Sequence, residues 1–180
     1  AEIGRILQTL DDTGLANNTL VILTSDHGEG LGHHNMVRKN FLYDEAAKVP
    51  MVVAFPGRTR EGIVDTEHLV SGVDIFPTIC DYAGAATPPK MRGLSMRQLV
   101  EGKATEWRPF VITEVTQGNR MVRTRDYKFV AYNGDPRVQL FDRRKDPGEV
   151  KNIADTPSAA DLVKSHKKLL ADWEAKLDYH

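Results

Sequence analysis

Thr19-Leu20-Val21-Ile22-Leu23-Thr24-Ser25-Asp26-His27-Gly28-Glu29-Gly30-Leu31-Gly32-His33-His34 is the stretch whose reading decides the fold. Its first part, Thr19 to Thr24, is a mostly apolar run dominated by β-branched residues, the composition of a buried strand. It passes directly into Ser25-Asp26-His27-Gly28, so polar groups stand at a strand end, where open α/β sheets gather ligands and catalytic side chains. A second apolar run, Val49 to Phe55, closes on Pro56-Gly57 and reads as another buried strand. Continuous apolar strands separated by loop or helical sequence predict a covered, mostly parallel sheet.

Upstream, Ile3, Ile6, Leu7 and Leu10 fall at i, i+3, i+4 and i+7 and predict an opening helix. Thr13-Gly14 and Asn17-Asn18 end it, and Asp11-Asp12 belong to that turn. The chain starts inside this pattern and without Met, which predicts a processed or truncated product. Downstream, Asp74 reads as the cap of a helix with Pro77 in its tolerated first turn. Phe76, Ile79, Cys80 and Ala83 form its apolar side, and Gly84 ends it. Ser95 caps a shorter helix that runs to Val100, with Gly102 beyond. The lone cysteine, Cys80, lies inside the first of these helices and reads as a small buried hydrophobe.

Beyond about residue 106 the pattern changes. Phe110 to Val115, Asn119 to Thr124, Lys128 to Tyr132 and Val138 to Phe141 are short strands separated by turn-formers, which predicts an antiparallel meander. Leu162, His166, Leu169, Leu170, Trp173 and Leu177 make the stripe of a last helix packed on one face of that meander. Trp107 is expected where the two lobes join. Arg123 and Arg125 read as a solvated sheet face, and Arg143-Arg144-Lys145 as an exposed turn. The division expected is residues 1–105 for an α/β part and 106–180 for a small lobe.

The 180 residues carry a formal net charge of −1, which argues against nucleic acid as a partner. One cysteine excludes an intrachain disulfide and a cysteine-rich zinc site. No apolar run is long enough for a transmembrane helix. Neither a compartment nor an oligomeric state follows from these properties.

Chemistry is concentrated after the first strand. Asp26, His27, Glu29, His33 and His34 are carboxylates and imidazoles of the kind that ligate metals. Lys39 behind them suits an anionic oxyacid group. Gly28, Gly30 and Gly32 let the backbone turn sharply and approach a bound group. Residue types alone name no reaction.

The order of motifs does. Thr24 to His34, Lys39, Tyr43-Asp44-Glu45-Ala46 and Val49-Pro50 resemble the second signature region of the type I sulfatase family. Val73-Asp74-Ile75-Phe76-Pro77-Thr78-Ile79 with Ala83-Gly84 resembles that family's Asp-x-x-Pro-Thr helix. Arg92-Gly93-Leu94-Ser95, Val122-Arg123-Thr124, Tyr127-Lys128-Phe129, Leu140-Phe141-Asp142, Asp146-Pro147-Gly148-Glu149 and Asn152 resemble the stretches that follow.

The resemblance implies the C-terminal part of an alkaline-phosphatase-like mixed sheet sandwiched by helices, plus a small antiparallel lobe with a C-terminal helix. It implies a divalent cation held by Asp26 and His27, calcium first, with manganese or magnesium as alternatives, because imidazole is unusual at a calcium site. It places Lys39 on the sulfate and its bridging oxygen, Asp26 also against the nucleophile, and His34 among the catalytic residues. His33 stands where the family has an acidic residue and is left outside the metal shell.

The family's nucleophile is a formylglycine made from a Cys/Ser-x-Pro-x-Arg motif that these residues lack, as they lack the paired aspartates completing the shell. The implied partners are therefore a missing N-terminal segment and a sulfated small molecule or carbohydrate. The isolated chain is expected to be inactive. Two other readings stand beside a sulfatase: a phosphonate monoester or phosphodiester hydrolase on the same scaffold, and a non-catalytic metal-binding remnant.

Overall fold

The computed structural model describes residues 2–103 and 106–177, apart from the side chain of Gln117. The chain divides into two compact units, Ala1–Asp26 with Pro50–Trp107, and His27–Val49 with Arg108–His180. The junction expected at 105/106 abuts Ala104 and Thr105, which lie outside the described residues. Residues 27–49, expected to belong with 1–105, group instead with the second unit. The reason is burial: Leu42 and its neighbours are core residues of that unit.

In the first unit, helix α1 (Glu2–Asp12) precedes strand β1 (Val21–Thr24), which pairs with β2 (Met51–Ala54). The expected parallel arrangement is corrected: β1 and β2 run antiparallel, Val21 opposite Ala54 and Thr24 opposite Met51. A parallel pair needs a crossover of a dozen or more residues, usually a helix. The only α-helix between them, α2 (Asp44–Ala47), is a single turn.

Helix α3 (Ile75–Ala83) follows a 3₁₀ turn at Gly72–Asp74 and ends at Gly84, whose φ of 67° is left-handed as expected. Its cap is Ser71 rather than Asp74 alone. The two make a reciprocal capping box, with Ser71 N donating to Asp74 Oδ2 at 2.8 Å. The other oxygen, Asp74 Oδ1, accepts from Leu94 N at 2.8 Å, and Thr78 Oγ1 accepts from Met96 N at 2.8 Å. The Asp-x-x-Pro-Thr spacing therefore places two polar groups one helical turn apart, and both staple the 94–96 backbone. The buried face carries Asp74, Pro77, Thr78 and Cys80, while Phe76 and Ile79 of the expected apolar side are half exposed. The next helix, α4 (Arg97–Val100), starts after Met96 rather than at a Ser95 cap; Ser95 stands just before it, accepting from Arg97 N and donating to Asp81. Trp107 stays within this unit, donating from Nε1 to Leu69 O at 2.7 Å.

The second unit is built on a meander β3-β4-β5-β6 (Phe110–Val115, Asn119–Thr124, Tyr127–Ala131, Val138–Asp142), antiparallel throughout. The two-residue period of its strands divides their side chains between two cores. On one face Val122, Phe129 and Leu140 pack with Leu170 of helix α5 (Ala160–Glu174). On the other, Met121, Val130 and Phe141 pack with Leu42 and Tyr43. The sheet thus carries the expected helix on one side and the strap that leads into α2 on the other. Asn152 satisfies the outer edge, its Oδ1 accepting from Leu140 N at 2.9 Å and its Nδ2 donating to Val138 O.

Candidate functional site

β1 ends at Thr24, and the chain then enters a loop that closes on itself. Gly28 N donates to Ala46 O, Gly30 N to Arg38 O and Gly32 N to Met36 O, each at 2.9 Å. Glu29 accepts from Arg38 N across the base of this loop. A side chain at Gly28 would place its Cβ 1.9 Å from Glu45 O. The close approach that requires glycine there is to the chain's own backbone, not to a bound group. Leu31, His34, Asn35 and Arg38 all take positive φ, an unusual density for non-glycine residues.

This closure brings the two ends of the loop together. Lys39 Nζ stands 2.7 Å from His27 Nε2. His27 Nδ1 lies 2.7 Å from Gly28 O, a carbonyl that only accepts, so Nδ1 carries the ring proton and Nε2 is left as the acceptor. Asp26 is exposed at the end of the first unit, and Ser25 Oγ donates to its Oδ1 at 3.4 Å.

His34 turns to other partners. Its ring stacks on Tyr43 at 3.8 Å with a 5° interplanar angle, and its Nε2 is 3.8 Å from Glu45 Oε2. His33, largely exposed, is 3.4 Å from Glu45 Oε1. Glu45 Oε2 is buried and accepts no hydrogen bond.

An imidazole whose Nδ1–H is fixed by a carbonyl presents Nε2 in the orientation usual for a metal ligand. His27 therefore fits that role by tautomer, provided a cation takes the Nε2 lone pair that Lys39 occupies here, and Asp26 fits it by chemistry. Among the described residues no group of three or more His, Cys, Asp or Glu gathers to hold a metal. The described donors would make only part of a cation shell.

The sequence reading missed what lies beneath the strap. Lys128, fully buried in β5, donates from Nζ to Leu42 O at 3.1 Å and pairs with Asp44 and, at 2.5 Å, with Glu149 Oε1. Asp44 N donates to Glu149 Oε2 at 2.9 Å, and Arg143 pairs with both Asp44 and Glu149. Burial pushes the Asp44 carboxyl up, but Lys128, Arg143 and Arg123 outweigh it and hold it below the usual carboxylate value. Arg143 is thus corrected from an exposed turn to a partly buried ion pair. Arg123 is corrected from a solvated sheet face to a half-buried position, where Nη1 donates to the carbonyls of Thr124, Arg125 and Tyr127. The legible signal was Lys128 itself, a lysine flanked by Tyr127 and Phe129 in an apolar strand.

The model of the N-sulphoglucosamine sulphohydrolase C-terminal family matches residues 32–176. The chain is 35% identical to a Δ4,5-hexuronate-2-O-sulfatase of Bacteroides thetaiotaomicron, over 99% of this chain and 40% of that protein. It is 32% identical to an arylsulfatase of Clostridium perfringens, over 94% of this chain and 36% of that protein. Among solved structures it resembles a phosphonate monoester hydrolase of Agrobacterium radiobacter, with a TM-score of 0.84, 30% identity, and coverage of 96% of this chain and 38% of that one. The chain thus spans about 40% of the length of the first of these relatives.

Proposed function

Because the chain belongs to the sulfatase family of the alkaline-phosphatase-like superfamily and spans part of its C-terminal region, we propose that it contributes half of the active site of a sulfuric ester hydrolase. The substrate would be a sulfate ester or sulfamate, with a sulfated carbohydrate the leading class. The observation that carries this reading is the closed loop that brings the Lys39 ammonium to His27 Nε2; a bound cation would take that lone pair and leave Lys39 to the sulfate.

Lys39 would bind the sulfate oxygens and stabilise charge developing on the bridging oxygen as the ester bond breaks. Asp26 and His27 would hold a divalent cation, calcium or a metal more tolerant of nitrogen. When bound, that cation would supply Lewis-acid stabilisation of the transferred group. Asp26 would also accept a hydrogen bond from the nucleophile, a formylglycine contributed by residues outside this chain. His34 would serve the loop through its stack on Tyr43. The resemblance to a phosphonate monoester hydrolase favours, as a second reading, phosphonate or phosphodiester hydrolysis at the same site.

The test is turnover by the full-length protein of aryl sulfates against aryl phosphonate monoesters and phosphodiesters. A higher kcat/KM for the phosphorus esters would replace the first reading with the second. Lys39→Ala should lower kcat by about 10²- to 10³-fold, the scale of losing one charge-stabilising donor. Undiminished turnover by that variant would remove Lys39 from the mechanism.

A further inference from the structure

Lys128 is a fully buried ammonium, and nothing in the proposed chemistry uses it. Desolvating a lysine is costly unless every bond it can make is made. Here it donates hydrogen bonds to Leu42 O and Asp44 Oδ1, and Glu149 Oε1 stands 2.5 Å away as an ion-pair partner. The two acceptors lie on the strap, three and five positions after Lys39. Glu149 reaches back with its other oxygen to Asp44 N. Both the backbone and the side chain of the strap are thereby fixed to the sheet.

The rest of the loop ties mainly to itself, through Gly30–Arg38, Gly32–Met36 and Glu29–Arg38. The Lys39 side chain is itself exposed. Its placement against His27 therefore depends on where the strap is anchored. We propose that Lys128 is a positioning residue, which acts through Leu42 and Asp44 to set Lys39 against His27. In this view the small lobe registers the catalytic lysine. The proposal rests on the role given to Lys39 above, and a buried pair that merely stabilises the lobe is the alternative.

The full-length chain separates the two through Lys128→Met, measured beside Lys39→Ala on aryl esters whose phenols range from acidic to basic. Lys128→Met leaves two carboxylates short of a partner, so Lys128→Met/Glu149→Gln, which removes one charge of each sign, is measured with it. We expect kcat to fall by about 10- to 100-fold, the cost of misplacing a catalytic group by an ångström or so, with KM little changed. The loss should grow with the basicity of the phenol, as for Lys39→Ala, and Lys39→Ala should cost less in the Lys128→Met background. A loss uniform across the phenols, or fully additive with Lys39→Ala, would overturn the proposal.

Amide hydrogen exchange gives a readout independent of any substrate. Residues 39–44 should lose protection by about tenfold or more in either variant, while β3 and β4 keep theirs. Unchanged protection in 39–44 overturns the positioning role even if the enzyme is a sulfatase. Lost protection in a protein that hydrolyses neither class of ester supports the anchor and defeats only the reading of Lys39.

Discussion

At Gly28 a Cβ would meet Glu45 O at 1.9 Å and Glu45 C at 2.9 Å, both backbone atoms that cannot swing aside. Gly28→Ala should therefore destabilise the second unit by about 1–3 kcal/mol, the usual cost of forcing extra volume into a packed place. A denaturant midpoint lowered without a change in slope would show it, and an unchanged midpoint would mean the loop adjusts freely. Asp26, His27 and Lys39 were legible as chemistry because carboxylate, imidazole and ammonium groups follow a strand within a short span. The reason for Gly28 was not legible, since it depends on a backbone contact from seventeen positions later. His34 was read as catalytic from its place in the motif, but which partners its ring takes, Tyr43 and Glu45, is a matter of loop conformation.

Among the elements, α5 shows how a polar residue can sit in an apolar stripe. His166 is buried, donates from Nδ1 to Leu162 O at 2.7 Å and accepts from Thr124 Oγ1 at 3.2 Å. Burial holds its pKa below the ordinary imidazole value, against the opposing effect of the Leu162 carbonyl. The unfolded chain then takes up this proton first, near pH 6.5. Between that pH and the lower folded value, the unfolded state binds more protons, so stability falls as pH drops through this window. His166→Phe should flatten the stability profile on the acid side of about pH 6.5, even if it lowers stability overall. An unaltered slope across that range would remove His166 from the acid response.

The strands of the meander were legible because each is a short strand-like run bounded by turn residues. β1 and β2 were legible as strands, yet their direction was not. Antiparallel and parallel strands share the same apolar composition, and the pairing depends on the path of the chain between them.

Over the whole molecule, the informative departure is the grouping of residues 27–49 with the small lobe. Amides of 42–47 should exchange with the kinetics of β4 and β5 rather than those of β1 and β2, because they share a core and an ion cluster with the sheet. Exchange of 42–47 in step with β1 and β2 would contradict that division. By itself the sequence determined the identity of the strands and helices, the family, and the residue types at the site. Those properties are written in local periodicity, turn chemistry and motif order. Only the tertiary structure decided that β1 and β2 are antiparallel, that Lys39 meets His27, and that Lys128 and Glu149 lie buried beneath the strap with Arg143 paired to Glu149. The physical reason is distance along the chain. Asp44 and Glu149 stand 105 positions apart, and no local pattern records that a lysine's charge will be answered by carboxylates so remote in sequence.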